Sequence, residues 1–179
     1  MLLISIMDID RSSHHSHAHA LLRECLKPYG ITYNEDTPLI KSDMGKPSLA
    51  GHPEIHFNLS HANGIVACIV SGSECGIDCE KVRPFRENVV KRAFSEREKE
   101  LIYSTPEENR DLLFFRMWTL KEAYVKALGV GISYPLSSAG FTFENSRIVT
   151  DIAGFRFRQY LIRGGEYVIS TCEKITDQI

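Results

Sequence analysis

No stretch of this 179-residue chain holds the ~20 consecutive apolar residues needed to span a bilayer, so no membrane partner is expected. Charge of one sign is also missing. The 21 Lys and Arg stand against 23 Asp and Glu, for a formal net charge of -2. That leaves no global basic field to hold DNA or RNA, and no nucleic-acid partner is expected. A disulfide framework is lacking too: the 5 cysteines are odd in number and scattered as Cys25, Cys68, Cys75, Cys79 and Cys172. Reduced cytosolic thiols fit that pattern better. The apolar opening from Leu2 to Met7 has no basic leader and runs straight into Asp8 and Asp10. It reads as a first strand rather than a signal peptide, and a cytoplasmic location is expected.

What is present is ordinary globular composition, with 43% hydrophobic and 25% charged residues. A chain of this size buries roughly 70% of its extendable surface, as one domain or two small packed lobes. Helical spacing of Ala18, Leu21, Leu22, Cys25 and Leu26 predicts a helix from Ser12 to about Lys27, ended by Pro28 and Gly30. Residues 31–53 read as loop, with a short strand at Leu39 to Lys41. Three strands follow: His56 to Ser60, Ile65 to Val70 with both faces covered, and Gly76 to Glu80. Arg83-Pro84-Phe85 breaks the pattern and marks an expected boundary, giving an N-terminal lobe of residues 1–84 and a C-terminal lobe of residues 85–179. Helices are expected at Glu87 to Ala93, at Ser95 to Tyr103 with capping-box spacing between Ser95 and Glu98, and from about Pro106 to Leu128. Strands at Ala139 to Phe143, Phe155 to Leu161 and Glu166 to Ser170 close the chain, the last two joined at Gly164-Gly165. The expected fold class is α+β: two similar lobes, each with helices packed on a small antiparallel sheet, related by a pseudo-twofold, with the active cleft between them.

Several groups of residues could carry chemistry. In Gly76-Ile77-Asp78-Cys79-Glu80, the two acids project from one face of a strand, ~7 Å apart along the chain. Hard cations such as magnesium favour such oxygens, but an isolated pair of this kind is more often two solvated acids at a strand end. In Trp118-Thr119-Leu120-Lys121-Glu122-Ala123-Tyr124-Val125-Lys126, the apolar stripe is Leu113, Met117, Leu120, Tyr124 and Leu128. Glu122 and Lys126 lie one turn apart on the other flank, either as a plain i,i+4 ion pair or as a metal ligand and a phosphate ligand. Phe57-Asn58-Leu59-Ser60-His61 turns Asn58 and Ser60 away from its apolar pair and ends in an imidazole that suits an anion or a simple turn. Gly45-Lys46-Pro47 is a lysine on a rigid loop. His14, His15, His17 and His19 look like a metal tract, yet no companion acid or cysteine follows at ligand spacing, and a polar helix start explains them. Cys75 and Cys79 would sit ~13 Å apart on a strand, too far for one zinc ion.

The order of these motifs, from Gly45-Lys46-Pro47 through Phe57–His61, Gly76–Glu80, Phe94-Ser95 with Glu98, and Trp118-x-x-Lys121-Glu122-Ala123-x-x-Lys126, resembles the 4'-phosphopantetheinyl transferases. The likeness is to their larger, two-lobed (Sfp-type) class and covers about Gly45 to Pro135, roughly half the chain. The resemblance implies an enzyme that transfers the 4'-phosphopantetheine arm of coenzyme A to a serine of an apo acyl or peptidyl carrier protein, releasing adenosine 3',5'-bisphosphate. It implies a magnesium ion (manganese is the alternative) held by Asp78, Glu80 and Glu122. It makes Lys126 a phosphate ligand, gives His61 and Ser60 phosphate contacts, and sets Lys46 at the nucleotide end. Glu122 is the candidate base for the serine proton, with Glu98 as the alternative. Relatives usually hold the 3'-phosphate with Arg or Lys from the first helix, where this chain offers Arg11, His14 to His19, Arg23 and Lys27, with His19 where an Arg is common. A monomer is expected, docking an acidic carrier through Arg83, Phe85, Arg86, Lys91 and Arg92. The competing readings are another magnesium-dependent nucleotide or pyrophosphate enzyme, and a non-catalytic module that binds coenzyme A or a carrier.

Overall fold

The computed structural model describes residues 1–6, 13–34 and 36–176. Met7, Asp8, Asp10, Arg11 and Ser12, on which some sequence expectations fall, lie outside the described residues. The first half contains β1 (Leu2–Ile6), α1 (His14–Leu26), the short β2 (Leu39–Lys41) and β3 (Pro47–Leu49), then β4 (His56–Ala62) and β5 (Ile65–Ser71). The second contains β6 (Cys75–Lys81), α2 (Glu87–Ala93), α3 (Glu96–Ser104), α4 (Glu107–Leu128), the hairpin β7 (Thr142–Glu144) and β8 (Arg147–Val149), then β9 (Phe155–Ile162) and β10 (Tyr167–Lys174).

Two antiparallel three-stranded sheets form, in the orders β1-β5-β4 and β6-β10-β9. Each has the first strand of its half at one edge, the last in the centre and the penultimate at the other edge, so the α+β halves share one topology. The strand pairing moves the division from where the sequence put it. β6 precedes the boundary expected at Pro84, yet it opens the second sheet, with Asp78 opposite Ser170 in β10. Residues 87–93 are helical as expected, so the Pro84 break separates β6 from α2 rather than one half from the other.

The layers run α1, first sheet, second sheet, α4. Every residue of β5 is buried because Cys68 and Val70 face Leu22, Cys25 and Leu26 of α1. On its other face, Ile65, Ala67 and Ile69 pack on Ile77, Cys79 and Ile169 of the second sheet. All five cysteines are buried free thiols.

α4 begins after Pro106 and ends on Gly129 at φ 70°, as the sequence signals. Its burial is wider than one apolar stripe. Phe114, Phe115, Met117, Leu120, Ala123 and Ala127 are buried, and so are Thr119 and Lys121. The second sheet lies under one side, while Leu136 and residues of α2 and α3 pack on another.

Two features bring the layers into register. The free edge of β6 would leave backbone N–H groups buried without partners. Side chains of β4 supply them: Ile77 N–H donates to Asn58 Oδ1 at 2.9 Å, and Cys79 N–H donates to Ser60 Oγ at 3.2 Å. Asn58 and Ser60, set by the sequence pattern on the face opposite the apolar pair, are therefore buried. On the other face of β6, Gly76 lies directly under α4. A Cβ there would stand 2.1 Å from the Ala123 carbonyl oxygen and 2.4 Å from the Ala127 nitrogen. Both obstacles are backbone, so the helix itself would have to move.

Gly76→Ala is expected to cost about 1–3 kcal/mol or more through overpacking. Urea unfolding should show this as a lowered midpoint, with an unchanged midpoint ruling out the contact.

Candidate active site

The acids of the β6 motif point away from the first sheet, towards α4, because Ile77 and Cys79 alternate with them and fill the space between the sheets. The Gly76 contact holds α4 with Lys126 over Asp78. Lys126 Nζ lies 2.7 Å from Asp78 Oδ1 and donates to Ser60 Oγ at 3.1 Å. Ser60 donates to the same Asp78 oxygen at 3.0 Å. Burial alone would lower the Lys126 pKa, but the charge and hydrogen bond of Asp78 outweigh it and raise it.

Glu122 sits one turn before Lys126. Burial, then the charges of Asp78 and Glu80, push its carboxyl up to about 7, against a smaller opposing pull from Lys126. Glu80 is raised first by burial, opposed by its hydrogen bond to Arg83 at 2.7 Å. The structure thus brings Asp78, Glu80, Glu122, Lys126 and Ser60 into one electrostatic neighbourhood.

Among the described residues, no three His, Cys, Asp or Glu side chains form a closed set of metal ligands. The donor chemistry nonetheless fits a hard cation. Asp78 Oδ2 is buried with no hydrogen-bond partner, and the mutual repulsion that raises Glu122 is what a divalent ion would relieve.

Beside these charges runs a groove of about 520 Å³, lined by Glu122 and Lys126 together with Val89, Arg92, Trp118 and Tyr134. Such a volume takes a small flexible molecule. Trp118 is held flat against Phe114, with ring centroids 6.1 Å apart.

The remaining expected site residues fall elsewhere or have other work. The Ser60 hydroxyl, expected on a phosphate, is buried and fully engaged with Asp78, Lys126 and the Cys79 N–H. Lys46 donates to the carbonyls of Ala127 at 2.7 Å and Cys75 at 3.2 Å, capping the end of α4. It borders a separate cavity of about 300 Å³ with His56 and Gly129, and burial lowers its pKa. An ammonium has three donors, so one N–H of Lys46 remains for a ligand.

His61 is exposed on β4, with its ring centroid 5.3 Å from that of His14. Burial, then His14, Lys126 and His15, hold its pKa below the ordinary imidazole range. His19 bonds through Nδ1 to the Tyr33 hydroxyl.

Glu98 is not available as a base. It is 1% exposed and closes the capping box with Ser95. It also pairs with Lys121 at 2.9 Å and accepts the Phe141 N–H at 3.0 Å. Lys121 in turn donates to the Leu136 and Ala139 carbonyls at 2.9 and 2.6 Å, tying down one wall of the groove. Sequence reading missed this pair, whose partners lie 23 positions apart on different helices.

Of the expected docking residues, Phe85 packs inward on Phe114 at 5.2 Å, and Arg83 bonds Glu80 and the Lys81 carbonyl. Arg86, Lys91 and Arg92 remain exposed.

The chain carrying this site has relatives among known proteins. The family model for the 4'-phosphopantetheinyl transferase superfamily matches residues 74–172, and the chain belongs to that superfamily. The 4'-phosphopantetheinyl transferase psf-1 of Bacillus pumilus is 42% identical over 94 residues, covering 52% of this chain and 40% of its own length. The 4'-phosphopantetheinyl transferase HetI of Nostoc sp. is 44% identical over 95 residues, covering 50% of this chain and 40% of its own. The chain spans less than half the length of these curated relatives. A solved holo-[acyl-carrier-protein] synthase of Thermotoga maritima covers 57% of this chain and 64% of its own, at 23% identity and a TM-score of 0.47.

Glu122 also predicts how the metal-free protein responds to pH. Its folded pKa, about 7, lies above the ~4.3 of an unperturbed glutamate. Its contribution to stability is therefore full below ~4.3 and is lost as pH rises through about 7. In chelator, Glu122→Gln should raise Tm at pH 8 by a few degrees and change it little at pH 5. Equal shifts at both pH values would exclude a perturbed Glu122.

Proposed function

We propose that the protein transfers the 4'-phosphopantetheine arm of coenzyme A to a serine of an apo acyl or peptidyl carrier protein, releasing adenosine 3',5'-bisphosphate. The observation that carries this reading is geometric: Lys126 is held 2.7 Å from Asp78, whose second carboxylate oxygen is buried without a partner, and the half-buried Glu122 lies one helical turn from Lys126, its carboxyl raised to about 7 in the metal-free protein. A group poised near neutral pH suits general-base work, and an adjacent ammonium suits a phosphate.

In the proposed reaction the carrier serine oxygen attacks the phosphorus bearing the pantetheine. The bond to the bridging oxygen breaks, and adenosine 3',5'-bisphosphate leaves with the electron pair. Phosphoryl transfer needs positioning and charge stabilisation more than covalent help. Glu122 accepts the serine proton. Lys126 donates to a phosphate oxygen, released in part from Asp78. Ser60 acts as a positioning residue: its hydroxyl holds Asp78 and Lys126 at a fixed spacing. His61 and the remaining N–H of Lys46 contact the phosphates and the nucleotide end. The 520 Å³ groove beside Glu122 takes the pantetheine arm, and exposed Arg86, Lys91 and Arg92, the last of which lines the groove, face the acidic carrier.

Magnesium fits the open Asp78 oxygen together with Glu80 and Glu122, and manganese would satisfy the same oxygen set. When bound, the ion supplies Lewis-acid neutralisation of the pyrophosphate. A monomer working in the cytoplasm is part of the same proposal.

Incubation of an apo carrier with coenzyme A, magnesium and the protein should add one phosphopantetheine, about 340 Da, by mass spectrometry. Glu122→Gln and Asp78→Asn should each lower the rate at least 100-fold while keeping the far-ultraviolet circular dichroism of the wild type. A variant at near-full rate would contradict its assigned role.

A further inference from the structure

The outer edge of the second sheet takes no part in the proposed reaction. β9 is the edge strand opposite β6, and among the described residues the backbone of 156–161 is bonded only to β10. A groove of about 590 Å³ runs beside it, lined by the five consecutive residues 157–161. Successive side chains of a strand point to opposite faces, so a groove that touches all five follows the free edge rather than either face. Its other wall is Arg116 of α4 with Ser146, Arg147 and Ile148 of the β7–β8 hairpin.

Arg116 is half-buried and pinned. Its guanidinium lies over the Phe143 ring, 3.7 Å from the centroid. Its Nε donates to Gln159 Oε1 at 2.7 Å, and Nη2 donates to the Ser146 carbonyl at 3.4 Å. Both acceptors are neutral, and burial lowers the pKa with no counter-charge to oppose it. A guanidinium has five N–H donors, so three remain for a ligand. Arg147 is exposed, beside the turn that joins it to its register partner Glu144. Arg158 pairs with Glu173 at 2.9 Å. No acid lines the groove.

We propose that the free edge of β9 is a docking surface for an extended acidic segment of a partner protein, which adds to the sheet as a strand and sets a carboxylate on Arg116. The unpaired N–H and C=O groups of β9 supply the main-chain bonds. The held guanidinium suits the two oxygens of a carboxylate and loses little freedom on binding one. Arg147 adds a second positive charge to the same wall. A second copy of this chain is the wrong occupant: edge-to-edge pairing would bring Arg116, Arg147, Arg156 and Arg158 of one copy towards the same arginines of the other. The surface lies at the opposite edge of the sheet from Asp78, and nothing in it depends on the function proposed above.

The full chain can be titrated calorimetrically with a peptide of about ten residues that alternates Glu and Val, with the same peptide carrying Gln for Glu, and with single-stranded oligothymidylate. The Glu peptide should bind at least tenfold more tightly than the Gln peptide. Hydrogen exchange of the β9 amides should slow in the complex, because an added strand occupies them. Arg147→Gln should keep the wild-type Tm and weaken the Glu peptide severalfold, and Arg116→Gln should weaken it roughly tenfold. Arg116→Lys keeps the charge but not the fork, and should also bind more weakly. Absent binding of the Glu peptide, equal binding of the two peptides, or binding without slower β9 exchange overturns the surface. Tighter binding of oligothymidylate than of the Glu peptide overturns the acidic partner. Should the Arg116 variants fail to fold, Arg147→Gln decides alone, and wild-type affinity there overturns the proposal.

Discussion

The distance between one helix and one strand governs this molecule. α4 lies on β6 so closely that Gly76 has no room for a Cβ against the Ala123 carbonyl and the Ala127 nitrogen. That contact fixes the height and the axial position of the helix. Glu122 and Lys126 flank Ala123 and Ala127 along the same turns, so their placement over Asp78 follows from the backbone contact beneath them. A Coulomb interaction at 2.7 Å weakens steeply if the helix is lifted and water enters. The glycine therefore acts on the chemistry through geometry, without touching any reacting group.

The opposite face of β6 is secured by polar groups rather than by another strand. Asn58 and Ser60 replace a missing ladder partner by accepting the Ile77 and Cys79 N–H groups. Ser60 also reaches Asp78 and Lys126, so the join between the two sheets and the setting of the charged site share one hydroxyl. Glu98 and Lys121 do similar work at the far wall, where a fully buried pair gathers the start of α3, the middle of α4 and the Leu136 and Ala139 carbonyls. Each of these buried polar groups has its partners, which makes the orphaned oxygen of Asp78 informative.

Much of the architecture was legible because it is local. The capping box at Ser95 and Glu98, the Gly129 stop of α4 and the all-apolar run of β5 each carry their signal within a few residues, and each forms as expected. The hairpin β7–β8 was missed: the sequence suggested a single strand, and the turn uses Asn145 and Ser146 at positive φ rather than glycine. The burial of the polar face of β4 was not legible, because alternation distinguishes two faces without saying what covers either. Phe85 was read as surface for a related reason. A lone aromatic between Pro84 and Arg86 shows no period, and only the stack on Phe114 places it.

The residue types of the site, their order and the alternation that sets Asp78 and Glu80 on one side of a strand are properties of the chain alone, since backbone geometry repeats every two residues in any strand. The meeting of that strand with Glu122 and Lys126, more than forty positions later, is not. It exists only because β6 pairs with β10 and α4 packs across both. The same packing thins the water that would otherwise hold Glu122 ionised and separate Lys126 from Asp78. Desolvation is a property of the assembled layers and is written at no single position, so the charges could be named from the sequence while their state could not.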